Sequence, residues 1–244
     1  GAPDKPGLGG DAIFISGALG GMMTPLRIQT TSPDGDVWAN GQFEQADTIG
    51  QLIGEIAIDA VNGGEVITNP RLEFAAQPFL IEVINDTFKL AFQQGIFDRE
   101  VIEMGGKEYV RSEMGVLEIG PVRMLTIPGE LLPELAVGGY DGSQMFTTEV
   151  PIIKANNPNP PDLAAAPEGP YLKQRLGSSY TWLIGLGNDE LGYIIPNYDF
   201  KLGPIPYLNQ AEGDHYEETN SLGPHMADIV FDRGDALVDF IEWL

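Results

Sequence analysis

Between Tyr109 and Ile127 the chain reads YVRSEMGVLEI, then Gly-Pro, then VRMLTI. Both runs are rich in valine, isoleucine and leucine, and Gly120-Pro121 separates them with turn chemistry. The sequence therefore predicts two strands, Tyr109–Ile119 and Val122–Ile127, joined by a tight turn. That pair commits the chain to a sheet, and the rest of the sequence must supply what packs on it.

The other segments alternate between strand-like and helix-like patterns. AIFIS (12–16) is short, apolar and partly β-branched, so it predicts a buried strand that runs into the glycine-rich GALGGMMTP (17–25). Such loops bring backbone N–H groups close to a ligand. Ala46 to Val61 predicts an amphipathic helix. Ile49, Leu52, Ile53, Ile56, Ala57 and Ala60 share one stripe, and Gly63-Gly64 stops it. A strand is expected near Arg71–Ala76, then a helix from Phe79 to Gln94 ending at Gly95. PGELLPELAVGG (128–139) predicts a short helix closed by Gly138-Gly139. Tyr180–Leu186 predicts a strand, and about Gly223 to Leu244 a closing helix. Residues 1–10 and 197–215 read as loops, and 155–170 as a loop with five prolines. The expected class is α/β (α+β), with mixed β-sheets flanked by helices, and residues 1–244 form one domain.

Charge narrows the partners. Thirty-six acidic residues stand against 13 basic ones, for a net charge of −23. Nucleic acid is a poor partner, because phosphate contacts need lysine and arginine. The acids are dispersed, which predicts a solvated surface and not an acidic tail. There is no cysteine, so disulfides, thiolate ligands and thiol nucleophiles are excluded. No apolar run approaches the ~20 residues of a membrane span. The setting expected is extracellular or periplasmic. The opening GAPDKPGLGG suggests a processed or engineered end, or a piece of something longer.

Three residues carry two readings each, and a fourth, Tyr216, is singled out by the resemblance given below. Glu130 follows a predicted strand end, where a rigid ligand could sit; it could equally be a first-turn glutamate favoured by the helix dipole. Tyr193, in GNDELGYIIP (187–196), is either a ligand at a second strand end or a half-buried strand tyrosine. Thr24 is either a hydroxyl nucleophile, given a base or metal to activate it, or a polar residue before a proline. Tyr216 lies in HYEETNSLGP (215–224). His215 and His225 have no ligand spacing and read as ordinary surface or loop histidines.

Three separated motifs together resemble the neutral/alkaline (non-lysosomal) ceramidase family. AIFISGALGGMMTP resembles its strand and loop of the form Gly-x-x-Gly-Asp-x-Ser-Pro, which carries a serine nucleophile. VRMLTIPGELLPEL (122–135) resembles its strand ending in Pro-Ala/Gly-Glu, whose glutamate ligates zinc. GNDELGYIIP and HYEETNSLGP resemble the segment carrying an unusual tyrosine ligand and a downstream active-site Tyr-Glu segment. The resemblance spans about residues 12–230 and implies half of a layered catalytic domain. It implies zinc-dependent hydrolysis of N-acyl amides, typified by ceramide. Glu130 and Tyr193 are then metal ligands, Thr24 matches the nucleophile, and Tyr216 contacts the substrate or a developing oxyanion.

Departures matter as much. The loop before Thr24 has one residue more than the family pattern and lacks its aspartate. The family's two zinc-binding histidines and its site arginine lie in the N-terminal half of the domain, and this chain resembles the C-terminal half. The histidines are thus expected from a segment or chain outside this sequence. The partner expected is the N-terminal half of the same precursor as a separate chain, or a homo-oligomer, with a lipid amide as substrate. The alternative is a non-catalytic structural or assembly protein that reuses the fold. A lipid- or glycan-binding module is a third reading.

Overall fold

The computed structural model describes residues 8–9, 11–21, 25, 28–39, 41–140, 153–213 and 215–243. The chain divides into two compact units, one of residues 1–14 and 22–69, the other of residues 15–21 and 70–244.

In the first unit, β1 (Thr30–Thr31) and β2 (Val37–Trp38) pair antiparallel, and α1 runs from Phe43 to Asn62. The predicted helix forms, but its apolar stripe is not its buried side. Ile53 and Ile56 are exposed, while Gln45 and Thr48 are buried. Gln45 Nε2 donates to the Ile28 carbonyl at 2.8 Å, which explains why a polar side chain is tolerated there.

The second unit contains β3 (Leu72–Glu82), α2 (Asp86–Gln93), β4 (Val101–Met104), β5 (Lys107–Ile119), β6 (Val122–Ile127), β7 (Glu130–Leu131), α3 (Pro133–Val137), α4 (Leu172–Arg175), β8 (Tyr180–Gly185), β9 (Tyr193–Ile194) and α5 (Met226–Trp243). The main sheet runs β3-β5-β6-β8, with β4 also paired to β5. All its pairings are antiparallel except β6 with β8. The class is α/β with a mixed sheet, as the sequence pattern implies.

Register sorts the two faces. Ala75, Val116, Leu125 and Leu183 form one row across four strands, and all four are buried. Helix α5 packs against β3 and β5. Gly234 lets it come close, since a Cβ there would stand 3.3 Å from Leu125 Cδ2. Leu237, Val238 and Ile241 complete this core. The next row, Phe74, Leu117, Met124 and Trp182, lies on the opposite face. Its two ends, Phe74 and Trp182, are 61% and 49% exposed.

Three expectations are corrected. Residues 12–16 form no strand; Ile13 and Phe14 are exposed, and the Ser16 carbonyl accepts a hydrogen bond from Gly185 N. Phe79–Glu82 is the end of β3, and the helix begins only at Asp86, capped by the Asn85 side chain. Glu130 is not a helix residue, because Glu130-Leu131 pairs as a strand and α3 starts at Pro133. The sequence also predicts no strand at Val101–Met104. Gly105 and Gly106, both at positive φ, turn that strand back onto β5.

Candidate functional site

Three segments come together through their glycines. Glu130 N donates to Gly192 O at 3.0 Å, and β7 pairs parallel with β9 so that Glu130 stands opposite Tyr193. A Cβ on Gly129 would fall 2.4 Å from Gly192 O, which excludes any larger residue there. Gly192 in turn bridges Ser221, on the segment that follows Tyr216. The loop before Tyr193 is laced to the same place, since Leu186 N and Leu191 N donate to the carbonyls of Gly129 and Pro128. The glycine-rich loop at 17–21 joins from another side, with Gly20 N donating to Leu131 O at 2.8 Å.

This packing assembles Glu130, Tyr193 and Tyr216. The two tyrosine hydroxyls share a hydrogen bond of 2.5 Å, and the rings meet edge to face. Tyr193 is buried and Tyr216 is 40% exposed. Glu130 Oε2 is buried and has no hydrogen-bond partner among the described residues. Burial first, then the bond with Tyr216 and the interaction with the Glu130 carboxylate, push the Tyr193 pKa up. Its phenol is held protonated at neutral pH.

A cavity of about 720 Å³ opens beside this triplet. Phe88, Phe92, Ile96 and Phe97 form an apolar wall, with Phe97 edge-on to Phe88 and Phe92. The lining also includes Asp98, Arg99, Asp189 and Glu190. Arg99 is ion-paired with Asp189, whose other oxygen accepts from Ser112 Oγ at 2.7 Å. Glu190 accepts from Gly192 N at 2.7 Å. Burial, helped by the charges of Glu130 and Asp189, pushes its carboxyl pKa up, against the pull of that N–H and of Arg99.

Of the residues singled out in the sequence, Glu130, Tyr193 and Tyr216 are brought together. Thr24 lies outside the described residues. His215 is a correction to the surface or loop expectation: it is buried, with Nδ1 2.9 Å from Glu218 Oε1 and Nε2 2.9 Å from the Asn159 carbonyl. His225 is half-buried, and its Nε2 lies 3.1 Å from the Glu82 carbonyl. Sequence reasoning missed the α2 wall and the Asp189-Glu190 pair, although both acids sit in the segment that singled out Tyr193.

The unpartnered carboxylate oxygen of Glu130, beside a buried phenol, suits two positions of a zinc ligand set. A catalytic zinc takes about three protein ligands. Among the described residues no group of three or more histidine, aspartate or glutamate side chains could hold a metal ion.

No protein-family model matches this sequence, and no curated protein does. Among solved structures the chain is similar to the neutral ceramidase from Pseudomonas aeruginosa, at 12% sequence identity and a TM-score of 0.41. The match covers 87% of this chain and 35% of that enzyme, so this chain spans about a third of its length. The relationship is a distant structural one.

Proposed function

We propose that this chain is part of a zinc-dependent hydrolase of N-acyl amide bonds acting on ceramide-like lipids outside the cytoplasm. Glu130 and Tyr193 would hold the zinc together with histidines from a segment or chain outside this sequence. The observation that carries the reading is the in-register pair itself, a carboxylate with a buried, unpartnered oxygen beside a buried tyrosine. When bound, zinc would polarise the amide carbonyl and lower the pKa of a bound water.

The chain's own residues have separable tasks. Glu130 and Tyr193 sit on short paired strands, which fix their separation. Tyr216 holds the Tyr193 hydroxyl through their shared hydrogen bond and reaches the cavity, where it could donate to an oxygen that gains negative charge. Thr24 would be the nucleophile or its remnant. The exposed apolar ends of the sheet's outer row, Phe74 and Trp182, are where a companion chain would pack.

The test is metal analysis of the native assembly, with mass measurement of every chain in it. Zinc in equal proportion to this chain, lost in Glu130→Ala, is expected. An assembly that is zinc-free overturns the reading.

A second reading is a non-catalytic assembly protein. The incomplete ligand set among the described residues favours it. A homopolymer of this chain alone, with no co-purifying histidine-bearing chain, would select it.

A further inference from the structure

Helix α1 leaves its apolar side uncovered. At about 100° per residue, Ala46, Ile49, Ile53, Ile56 and Ala60 share one stripe, with alternating steps of three and four residues. That spacing is the a/d seam of a coiled coil. Phe43 and Val61 widen the stripe on one side. Phe43, Ile53, Ile56 and Val61 are each more than half exposed, while the buried side of the helix presents Gln45 and Thr48. A surface helix that packs only within its own unit does the reverse.

Two glycines lie beside the seam. Gly50 and Gly54 are one turn apart in the interior of this 20-residue helix, where glycine weakens a helix more than any residue except proline. A Cβ on either would meet nothing within 4 Å. Packing among the described residues therefore does not require them. Their bare side admits the backbone of a neighbouring element at close range.

Charge selects the neighbour. Between Arg27 and Arg71 every charged side chain is acidic. Asp47 and Asp59, both exposed, stand outside the stripe on its two sides. A second copy of α1 would bring the same acids to the rim, and like charges across an interface oppose pairing. An anionic bilayer repels the helix too, since helices that lie on such surfaces carry lysine and arginine on the polar face. A helix with basic borders gains both the seam and the rim.

We infer that α1 docks a helix of another protein, one whose apolar seam is bordered by lysine or arginine. The partner's seam lies along Ile49, Ile53 and Ile56, and its backbone comes closest at Gly50 and Gly54. Its basic side chains face Asp47 and Asp59.

The experiment uses the full chain and two labelled synthetic peptides of three heptads, both with leucine at a and d. One carries lysine at e and g, the other glutamate. Binding is read by fluorescence anisotropy at about 150 mM salt, which screens the general attraction of a chain with net charge −23. The lysine peptide is expected to bind at least tenfold more tightly than the glutamate peptide. Ile56→Gln changes no charge and replaces an exposed side chain, so the fold is kept, and it should weaken the lysine peptide at least tenfold. Gly54→Ala should favour the free helix and yet weaken the lysine peptide, because its methyl group stands between two backbones. A glycine of merely structural importance would not separate those two effects.

Equal binding of the two peptides, no binding of either, or lysine-peptide binding that survives Ile56→Gln or Gly54→Ala overturns the inference. Two other occupants have their own signatures. A chain that sediments as a dimer, and as a monomer in Ile56→Gln, would give this face to a second copy. Sedimentation with phosphatidylcholine vesicles that Ile56→Gln abolishes would give it to a bilayer. Either result also overturns the inference. Neither zinc nor hydrolysis enters these measurements, so their outcome is independent of the metal analysis.

Discussion

Gly192 lies so close to Asn220 that a Cβ on it would stand 2.0 Å from the Asn220 carbonyl oxygen. Its φ of +85° is a second reason for glycine. The residue on one side of this contact is Tyr193, and four residues before Asn220 is Tyr216. Gly192→Ala must push the two segments apart or twist the strand that carries Tyr193. We expect a loss of about 2–4 kcal/mol in stability, read as a lower urea midpoint. A variant as stable as the parent would show that the 216–221 segment can shift freely.

Tyr216→Phe removes one hydroxyl and almost no volume. The 2.5 Å bond to Tyr193 is lost, which should cost about 1 kcal/mol, as a partly exposed neutral hydrogen bond does. The Tyr193 phenol should then titrate at lower pH, because the bond with Tyr216 is one of the causes holding its pKa up, second to burial. Urea midpoints of the variant and the parent read the stability loss. On the proposed function, amide hydrolysis in the complete assembly should fall at least tenfold, since a donor to the developing charge is gone.

Parts of this structure were legible because local pattern and tertiary environment agree. β5 and β6 are apolar runs on either side of Gly120-Pro121, and the register follows from that turn. The end of β3 was misread because Phe79, Leu80 and Ile81 are apolar on both faces, one buried under α5 and one on the exposed side, so the run has no period of two. AIFIS has strand composition but no partner strand among the described residues. The site divides in the same way. Glu130, Tyr193 and Tyr216 are visible as motif positions. Their meeting depends on close backbone contacts at Gly129 and Gly192, and those are long-range. The Phe88-Phe92-Phe97 wall was illegible because apolar residues at helical spacing read as core.

His215 ties the proline-rich segment to the rest of its unit. Nδ1 faces Glu218 Oε1, and Nε2 faces the Asn159 carbonyl. Both partners accept, so both bonds form together only when both ring nitrogens carry protons. Glu218 is 3% exposed and also accepts from Lys201 N at 2.9 Å. His215→Ala leaves that carboxylate buried without its ring partner, a change that should cost about 3 kcal/mol. Amide hydrogen exchange should rise selectively at Asn157, Asn159 and Asp162, the residues of this proline-rich stretch that carry an amide hydrogen. Uniform exchange across the unit would show that the segment is held by other contacts, such as Asp162 N to the Tyr198 carbonyl.

Asp199 gives a pH signature of opposite sign to a salt-bridged carboxylate. Burial, with a smaller push from Glu218, raises its pKa from 3.8 to about 6, although His215 and Lys201 pull the other way. Between those two values the folded chain binds a proton that the unfolded chain has released. Stability from this group is therefore complete below about pH 3.8 and is lost as pH rises through about 6. Asp199→Asn cannot ionise, so it should be the more stable protein above pH 6 and gain nothing near pH 4. Solvent screening of a partly exposed group reduces the effect, and roughly 1 kcal/mol is reasonable. In a chain of this size that is a thermal midpoint about 2–4 °C higher at pH 7.5. Midpoints of the two proteins measured from pH 4 to pH 8 should diverge across that window. Parallel curves would mean that Asp199 is charged throughout, with His215 and Lys201 outweighing its burial.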